Sequence, residues 1–199
     1  MASNTYNAGT GTTSTDIGTV AWSGPDNIEF DDNSYATCVL SNVNTSSQAL
    51  KATGFGISLP PNTTIDGVVV SFKRKASAAS VIRDTHVYLL KNNVYSGNNK
   101  SLAAYWSDVE GTVSFGGPAD LWGNTLTVSD VTNANFGALI ACQYYSAYTG
   151  SETAYVDQVT LTLYYTVNFL CGWGSTGIDN IYWGTQQISR VYHGTVRVA

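Results

Sequence analysis

Residues 156–167 alternate strictly: Val159, Leu161, Leu163, Tyr165 and Val167 fall on one side, and Thr160, Thr162, Tyr164 and Thr166 on the other. A period of two puts successive side chains on opposite faces of a strand, so this segment predicts a half-buried strand with a polar outer face. Residues 65–75 behave the same way, with Val68, Val70 and Phe72 opposed to Ser71, Lys73 and Lys75. Further strands are expected at 81–91, 35–40, 49–57 and 136–145, with shorter ones at 110–115 and 124–127. Helical periodicity is nearly absent. The breaks carry turn chemistry, as in Pro60-Pro61-Asn62, Asp66-Gly67, Ser96-Gly97-Asn98-Asn99, Gly116-Gly117-Pro118 and Thr149-Gly150. Strands at short spacing without interleaved helices define an all-β, antiparallel two-sheet β-sandwich. The strand count favours a jelly roll and leaves other Greek-key arrangements open. One helical turn is expected over 129–133, with Ser129 as its cap.

The chain divides by composition. Residues 1–20, rich in Gly, Thr, Ser and Asn, read as a flexible or partner-ordered arm. Residues 21–167 carry the sandwich, and 168–177, around Gly172-Trp173-Gly174-Ser175, read as a linker. Residues 178–199 repeat themselves: Ile178-Asp179-Asn180-Ile181-Tyr182-Trp183-Gly184-Thr185 is followed by Ile188-Ser189-Arg190-Val191-Tyr192-His193-Gly194-Thr195, and Val198 begins an echo. Each unit reads as a short strand closed by a Gly turn. Two units are too few to cover their own apolar side chains. Ile178, Ile181, Tyr182, Trp183, Ile188, Val191, Tyr192 and Val198 are therefore expected to form a protein-interaction element, on a partner or in a homo-oligomer such as a trimer about a shared axis.

Composition narrows the function. Charged residues make up 12% of the 199 and the net charge is −5. A weakly charged, acidic surface grips phosphates poorly, which argues against nucleic acid. No stretch approaches the roughly 20 apolar residues of a membrane span. The start, Met1-Ala2-Ser3-Asn4-Thr5-Tyr6, lacks the basic and apolar runs of a signal peptide, so synthesis in a reducing cytoplasm is expected. Of the three cysteines, Cys38 and Cys142 lie in apolar runs and are expected as buried free thiols.

Chemistry is scarce. The two histidines, His86 and His193, have no nucleophile elbow nearby, and no zinc spacing, phosphate loop or dinucleotide fingerprint is present. No cofactor is expected. Asp26, Glu29, Asp31 and Asp32 cluster beside Trp22 and Pro25, where Asp26, Asp31 and Asp32 could hold Ca2+, although Asp side chains binding local backbone N–H groups explain such a cluster more simply. Asp157, on the face of Val159 and Leu161, is expected to be partly buried, and could pair with Glu152 as a glycosidase dyad only on paper. Lys73-Arg74-Lys75 with Arg83 reads as an outward basic patch. Tyr144, Tyr145, Tyr148, Tyr155, Tyr164, Tyr165, Trp106 and Trp122 are the richest resource, divided between core and exposed rings able to meet proteins or stack on sugars.

Several segments carry a resemblance. Trp22-Ser23-Gly24-Pro25-Asp26-Asn27-Ile28, then Asp31-Asp32 and Tyr35-Ala36-Thr37, resemble the opening of β-sandwich domains in structural proteins of tailed bacteriophages. Ile65-Asp66-Gly67-Val68-Val69-Val70, and Ala154-Tyr155-Val156-Asp157-Gln158-Val159 with Leu163-Tyr164-Tyr165, fit the same loose pattern. The terminal Ile-x-x-Ile-Tyr-x-Gly-Thr unit is similar to short repeats near the ends of phage tail and virion accessory proteins. The resemblance implies a non-enzymatic virion protein, made in the host cytoplasm, that decorates or cements the capsid or is attached to the tail through other virion proteins. The other expectation is a tail-associated adhesin whose sandwich binds host-surface glycan. An exposed aromatic platform would favour the adhesin; flat polar loops with ordered termini gripping neighbours would favour decoration.

Overall fold

The structure is a computed structural model that describes residues 1–145 and 150–168 and, as backbone, 181–183, 186–188, 192–193 and 196–197. In chain order it runs β1 (Ala2–Asn7), β2 (Thr10–Ser14), a 3-10 turn (Pro25–Ile28), β3 (Ala36–Leu40), β4 (Ala49–Thr53) and β5 (Thr63–Ala76). There follow β6 (Ile82–Lys91), β7 (Val94–Ser96), β8 (Gly111–Gly117), α1 (Val128–Val131), β9 (Gly137–Tyr144) and β10 (Glu152–Val167).

Ten strands make two antiparallel sheets of five. The first has the order β1-β10-β5-β8, with β3 also on β10; β1 pairs Thr160–Tyr165 and β3 pairs Glu152–Val156. The second has the order β2-β4-β9-β6-β7. From β3 to β10 the chain crosses between sheets at every step except the β6–β7 hairpin. Its nested sets, β3-β10-β5-β8 and β4-β9-β6-β7, are those of a jelly roll. The expected all-β sandwich is therefore present.

The alternation seen in the sequence sets what faces inward. Val68, Val70 and Phe72 of β5 and Val159, Leu161 and Leu163 of β10 meet Val87 and Leu89 of β6 and Ala138, Ile140 and Cys142 of β9, all fully buried in one core. Each such aliphatic or aromatic side chain stabilises the fold by about 1.5–3 kcal/mol. Cys38 and Cys142 are buried free thiols in that core; burial pushes the Cys38 thiol up to about 12 and raises that of Cys142 as well.

Several expectations need correction. Residues 1–20 are not a loose arm: β1 extends the first sheet and β2 the second, with Ala8 buried at the crossover, where its N–H donates to the Val159 carbonyl at 3.0 Å. Their small polar side chains show no apolar alternation because ladder hydrogen bonds hold these edge strands, with additions such as Thr5–Thr162 at 2.8 Å. Residues 124–127 form no strand and lead into α1, whose N-cap is Thr127 in a reciprocal box with Asp130, rather than Ser129. Arg74 points inward and is 5% exposed, so it leaves the expected basic patch.

Trp122, at φ 58, is buried in a left-handed conformation that a bulky side chain rarely adopts. Its Nε1 donates to the Val68 carbonyl at 2.9 Å, and a Cβ on Gly116 would lie 2.5 Å from that nitrogen. The close approach requires glycine there.

Residues 169–199 form a separate unit. There β11 (Ile181–Trp183) pairs with β12 (Gln186–Ile188), and β13 (Tyr192–His193) pairs with β14 (Val196–Arg197). Trp183 opposes Gln186 and His193 opposes Val196, so the repeat recurs in register. Ile188, which opens the second sequence unit, closes the first hairpin opposite Ile181. The unit is thus a hairpin, not a single strand. Ile178, Val191 and Val198 lie outside the described residues, as do Tyr148 and Cys171.

Candidate functional site

Strand β6 builds the candidate face because it carries a bulge. Its register against β9 runs Asp84↔Cys142 and then His86↔Ala141, leaving Thr85 as the extra residue. The inserted residue resets the alternation. Ile82, Asp84, Val87 and Leu89 are buried, while Arg83, His86 and Tyr88 stand partly open on the outer side of the second sheet. Asn99, in the connection after β7, satisfies the backbone that the bulge frees. Its Oδ1 accepts from Val87 N–H at 2.9 Å, and its Nδ2 donates to the Thr85 carbonyl at 2.8 Å. This stitching holds the connection beside β6 and brings Tyr105 opposite Arg83.

A row of rings results. Tyr95 of β7 lies 5.3 Å from Tyr88, and Tyr88 lies 6.1 Å from His86 in a stacked arrangement. Farther along β6 the Arg83 guanidinium sits 4.0 Å from the Tyr105 ring and 4.2 Å from the Tyr145 ring. Tyr95, Tyr105 and Tyr145 are 45%, 39% and 50% exposed. Five residues separate Arg83 from Tyr88, or about 16 Å at roughly 3.3 Å per residue, which suits an extended ligand. Leu90, Leu139 and Ala49 form a small apolar cluster with Ile17 and Tyr88 packed against it, so Tyr88 is held from one side. Burial keeps the His86 imidazole below its ordinary range, and its buried Nδ1 has no partner. His86 is therefore neutral near pH 7.

At the Arg83 end the row opens onto a cleft of about 290 Å³ lined by Arg83, Asp84, Ser101, Leu102, Gln143 and Tyr145 among others. Its floor is fixed from the other sheet. Arg74 of β5 forks onto both Asp84 carboxylate oxygens, one bond at 3.1 Å. Trp106 Nε1 and Leu102 N–H donate to the same carboxylate at 2.8 and 3.3 Å. The Arg74 guanidinium also lies 4.3 Å from the Trp106 ring. Asp84 is thus neutralised from within the core.

The outer face of the first sheet holds a second polar cluster. A bulge between Val156 and Gln158 leaves Asp157 as the extra residue of β10. Asp157 is fully buried, but the bulge gives its Oδ2 to Lys73 Nζ at 3.0 Å instead of leaving it with Val159 and Leu161. The same Nζ meets Glu110 at 2.8 Å and Asp31 more closely still. Hydrogen bonds to Asp31, Glu110 and Asp157 raise the amine's pKa, and the amine in turn lowers that of Asp31. Burial pushes the Glu110 carboxyl up, but the Lys73 and Tyr35 hydrogen bonds and both lysine charges outweigh it and leave it depressed. Lys75 Nζ donates to the Tyr35 hydroxyl at 2.9 Å and lies 4.3 Å from that ring, which in turn meets Tyr155 edge-on. The amine occupies the centre that the three carboxylates share, so the cluster closes on itself and ties the loop before β3 to the sheet.

The remaining sequence candidates separate. Asp26 Oδ1 accepts from Gly11 N–H at 2.9 Å and Asp32 Oδ1 from Ser34 N–H at 2.8 Å, while Asp31 belongs to Lys73. The three do not converge, and no group of three metal-ligating side chains is placed for a metal ion among the described residues. Glu152 accepts from the Ser77 hydroxyl. It lies five residues along the same strand from Asp157, about 16 Å at roughly 3.3 Å per residue. That exceeds the carboxyl spacing of either glycosidase geometry, so the dyad is not formed. Of the aromatics singled out in the sequence, Trp106, Trp122 and Tyr144 are core, Tyr165 is nearly so, and Tyr145 reaches the candidate face. The sequence reading missed Tyr88, Tyr95 and Tyr105. Asn92-Asn93, both at positive φ between β6 and β7, was the available signal for the hairpin that carries Tyr95 past Tyr88.

No protein-family model matches the chain, and no curated protein does. Among solved structures it is similar to the second N-terminal cellulose-binding domain of Cellulomonas fimi β-1,4-glucanase C, at 13% identity over 80% of this chain and 92% of that one, with a TM-score of 0.41. It is also similar to the xylan-binding module CBM15, at 14% identity over 80% and 91%, TM-score 0.35. A third is the family 11 carbohydrate-binding module of the Clostridium thermocellum cellulase Lic26A-Cel5E, at 13% identity over 81% and 87%, TM-score 0.35. At these scores the likeness carries no argument, and the functional reading rests on the geometry of the face itself.

Proposed function

We propose that the sandwich is a non-catalytic glycan-binding module whose ligand lies along β6 on the outer face of the second sheet. The observation that carries this is the row Tyr95–Tyr88–His86 leading to the Arg83 cleft on a rigid strand. Partly exposed rings offer faces to the C–H sides of sugar rings, and the neighbouring amide and hydroxyl groups of Gln143 and Ser101 offer hydrogen bonds. One feature supports a binding role without turnover: Asp157, Asp84 and Glu152 are committed to lysine, arginine or serine partners.

The bacteriophage resemblance of the sequence fits the same reading as a virion-borne adhesin, with the sandwich facing host-surface glycan and the C-terminal hairpins serving attachment to capsid or tail or self-association. An exposed aromatic platform favours this over a purely cementing role, in which protein–protein contacts alone would hold the molecule on the particle. Binding to a panel of immobilised polysaccharides tests it. Tyr88→Ala and Tyr95→Ala should each weaken retention about 2–10-fold, the value of one aromatic contact of roughly 0.5–1.5 kcal/mol. A folded protein that binds no polysaccharide would overturn the reading.

A further inference from the structure

We infer that the Arg83 cleft takes the carboxylate of an acidic sugar, so that the ligand of this face is an anionic polysaccharide containing uronic or similar carboxylated residues. The inference rests on the glycan-binding reading above and specifies its substrate class.

The argument begins with the partners of each cation. Among the described residues, Lys51, Lys73, Lys91, Lys100 and Arg74 each hold a carboxylate, and Lys75 holds the Tyr35 hydroxyl. Arg83 holds neither a carboxylate nor a hydroxyl there, and its Nε is buried without an acceptor. Yet Arg83 is not a loose surface side chain. Tyr105 and Tyr145 hold its guanidinium at 4.0 and 4.2 Å, and an isolated β-bridge pairs its backbone with Tyr105. Stacked aromatics restrict a guanidinium in advance of binding, so less rotamer freedom is lost when its planar fork meets a carboxylate.

The surroundings fit an anion at this end of the row. The one carboxylate lining the cleft, Asp84, is compensated by Arg74 and by the Trp106 and Leu102 donors, so it does not oppose a second negative group. Leu102, 42% exposed, gives the cleft an apolar wall. The protein as a whole carries a net charge of −5, which repels polyanions at long range. Retention of an acidic polymer therefore reports a local contact rather than general electrostatic adhesion. The order along β6 places the charge-reading group at one end and the stacking rings at the other, which suits a polymer in which one sugar presents its carboxylate while its neighbours lie over Tyr88 and Tyr95.

The test uses the full chain, a panel of uronic-acid polysaccharides, and the same polymers after reduction of their carboxyl groups to alcohols. The wild type should bind at least one acidic polymer on the order of 10–100-fold more tightly than its reduced form, as expected for hydrogen bonds to a charged group. Arg83→Gln should lose that difference while keeping the weaker binding of the reduced polymer, and Arg83→Lys should recover only part of it. Unchanged thermal midpoints would show that both variants fold. Equal binding of acidic and reduced polymers by the wild type, or undiminished acid preference in Arg83→Gln, would overturn this inference and leave the glycan-binding reading standing. Absence of binding to every polymer would remove both.

Discussion

Replacing Asp84 with alanine strands three donors at once. The Arg74 guanidinium, 5% exposed, loses both bonds of its fork, and Trp106 Nε1 and Leu102 N–H lose an acceptor inside the protein. Breaking a buried ion pair from one side costs about 3–5 kcal/mol because the remaining charge is uncompensated. Each neutral donor left without an acceptor costs about 1–3 kcal/mol where water cannot reach it, and these terms overlap. The Asp84→Ala variant should therefore lose at least ~4 kcal/mol. For a chain of this size that lowers the thermal midpoint by about 8–16 °C, at roughly 2–4 °C per kcal/mol. Circular dichroism melts with urea titration of the same samples measure both quantities. The double variant Arg74→Met, Asp84→Leu is the control, since removing both charges leaves no stranded ion and should cost clearly less than Asp84→Ala alone. A loss below ~1 kcal/mol for Asp84→Ala, or a double variant as unstable as the single, would show that water enters the cleft floor and that the cross-sheet pair is not sealed.

Lys73→Met should lower stability most near neutral pH. Its carboxylate partners Asp31 and Glu110 have depressed pKa values when folded, so the stability they supply is present above the ordinary carboxylate range of about 4 and is lost as pH falls through their folded values. Wild-type and variant melting curves should converge below pH ~4; parallel curves down to pH 2 would refute the coupling. The raised amine of Lys73 contributes fully below its ordinary value of about 10.4 and loses that contribution only as pH rises beyond it. Ending the chain after Asn168 should leave a sandwich with an unchanged melting midpoint, because residues 1–168 contain the whole described core. Light scattering on that fragment should show a monomer if the terminal hairpins drive self-association, and an undiminished oligomer would place that contact on the sandwich.

The strands of the sandwich were legible wherever one face meets the core, because apolar alternation records that burial residue by residue. β5 and residues 159–167 of β10 follow it closely, whereas β9 is an almost continuously buried apolar run and β6 changes phase at its bulge. β1 and β2 were not legible, since edge strands of Ser, Thr and Asn are held by main-chain bonds that leave no periodic signature. The candidate face on β6 was hidden for a different reason. Whether His86 points in or out depends on the bulge at Thr85, and a one-residue insertion reverses the face of everything after it. Asp157 shows the same effect in β10: simple alternation gives it to the core, and the bulge gives it to Lys73. Tyr105 and Tyr145 meet only through Arg83, a contact between distant segments that no local pattern encodes.

Strand β10 lies between β5 on one side and both β1 and β3 on the other, so three strands of the first sheet depend on the last strand of the sandwich to be made. Until residues 160–165 are available, Ala2–Asn7 has no partner, although it lies far earlier in the chain. Vectorial synthesis therefore holds an early segment in waiting for a late one, and such distant closures make folding slow. During that interval the free first strand of one nascent chain can add to the exposed β10 edge of another. Copies translated side by side from one message thus have a route to exchange their leading strands, giving entwined pairs that dilution after synthesis would not separate.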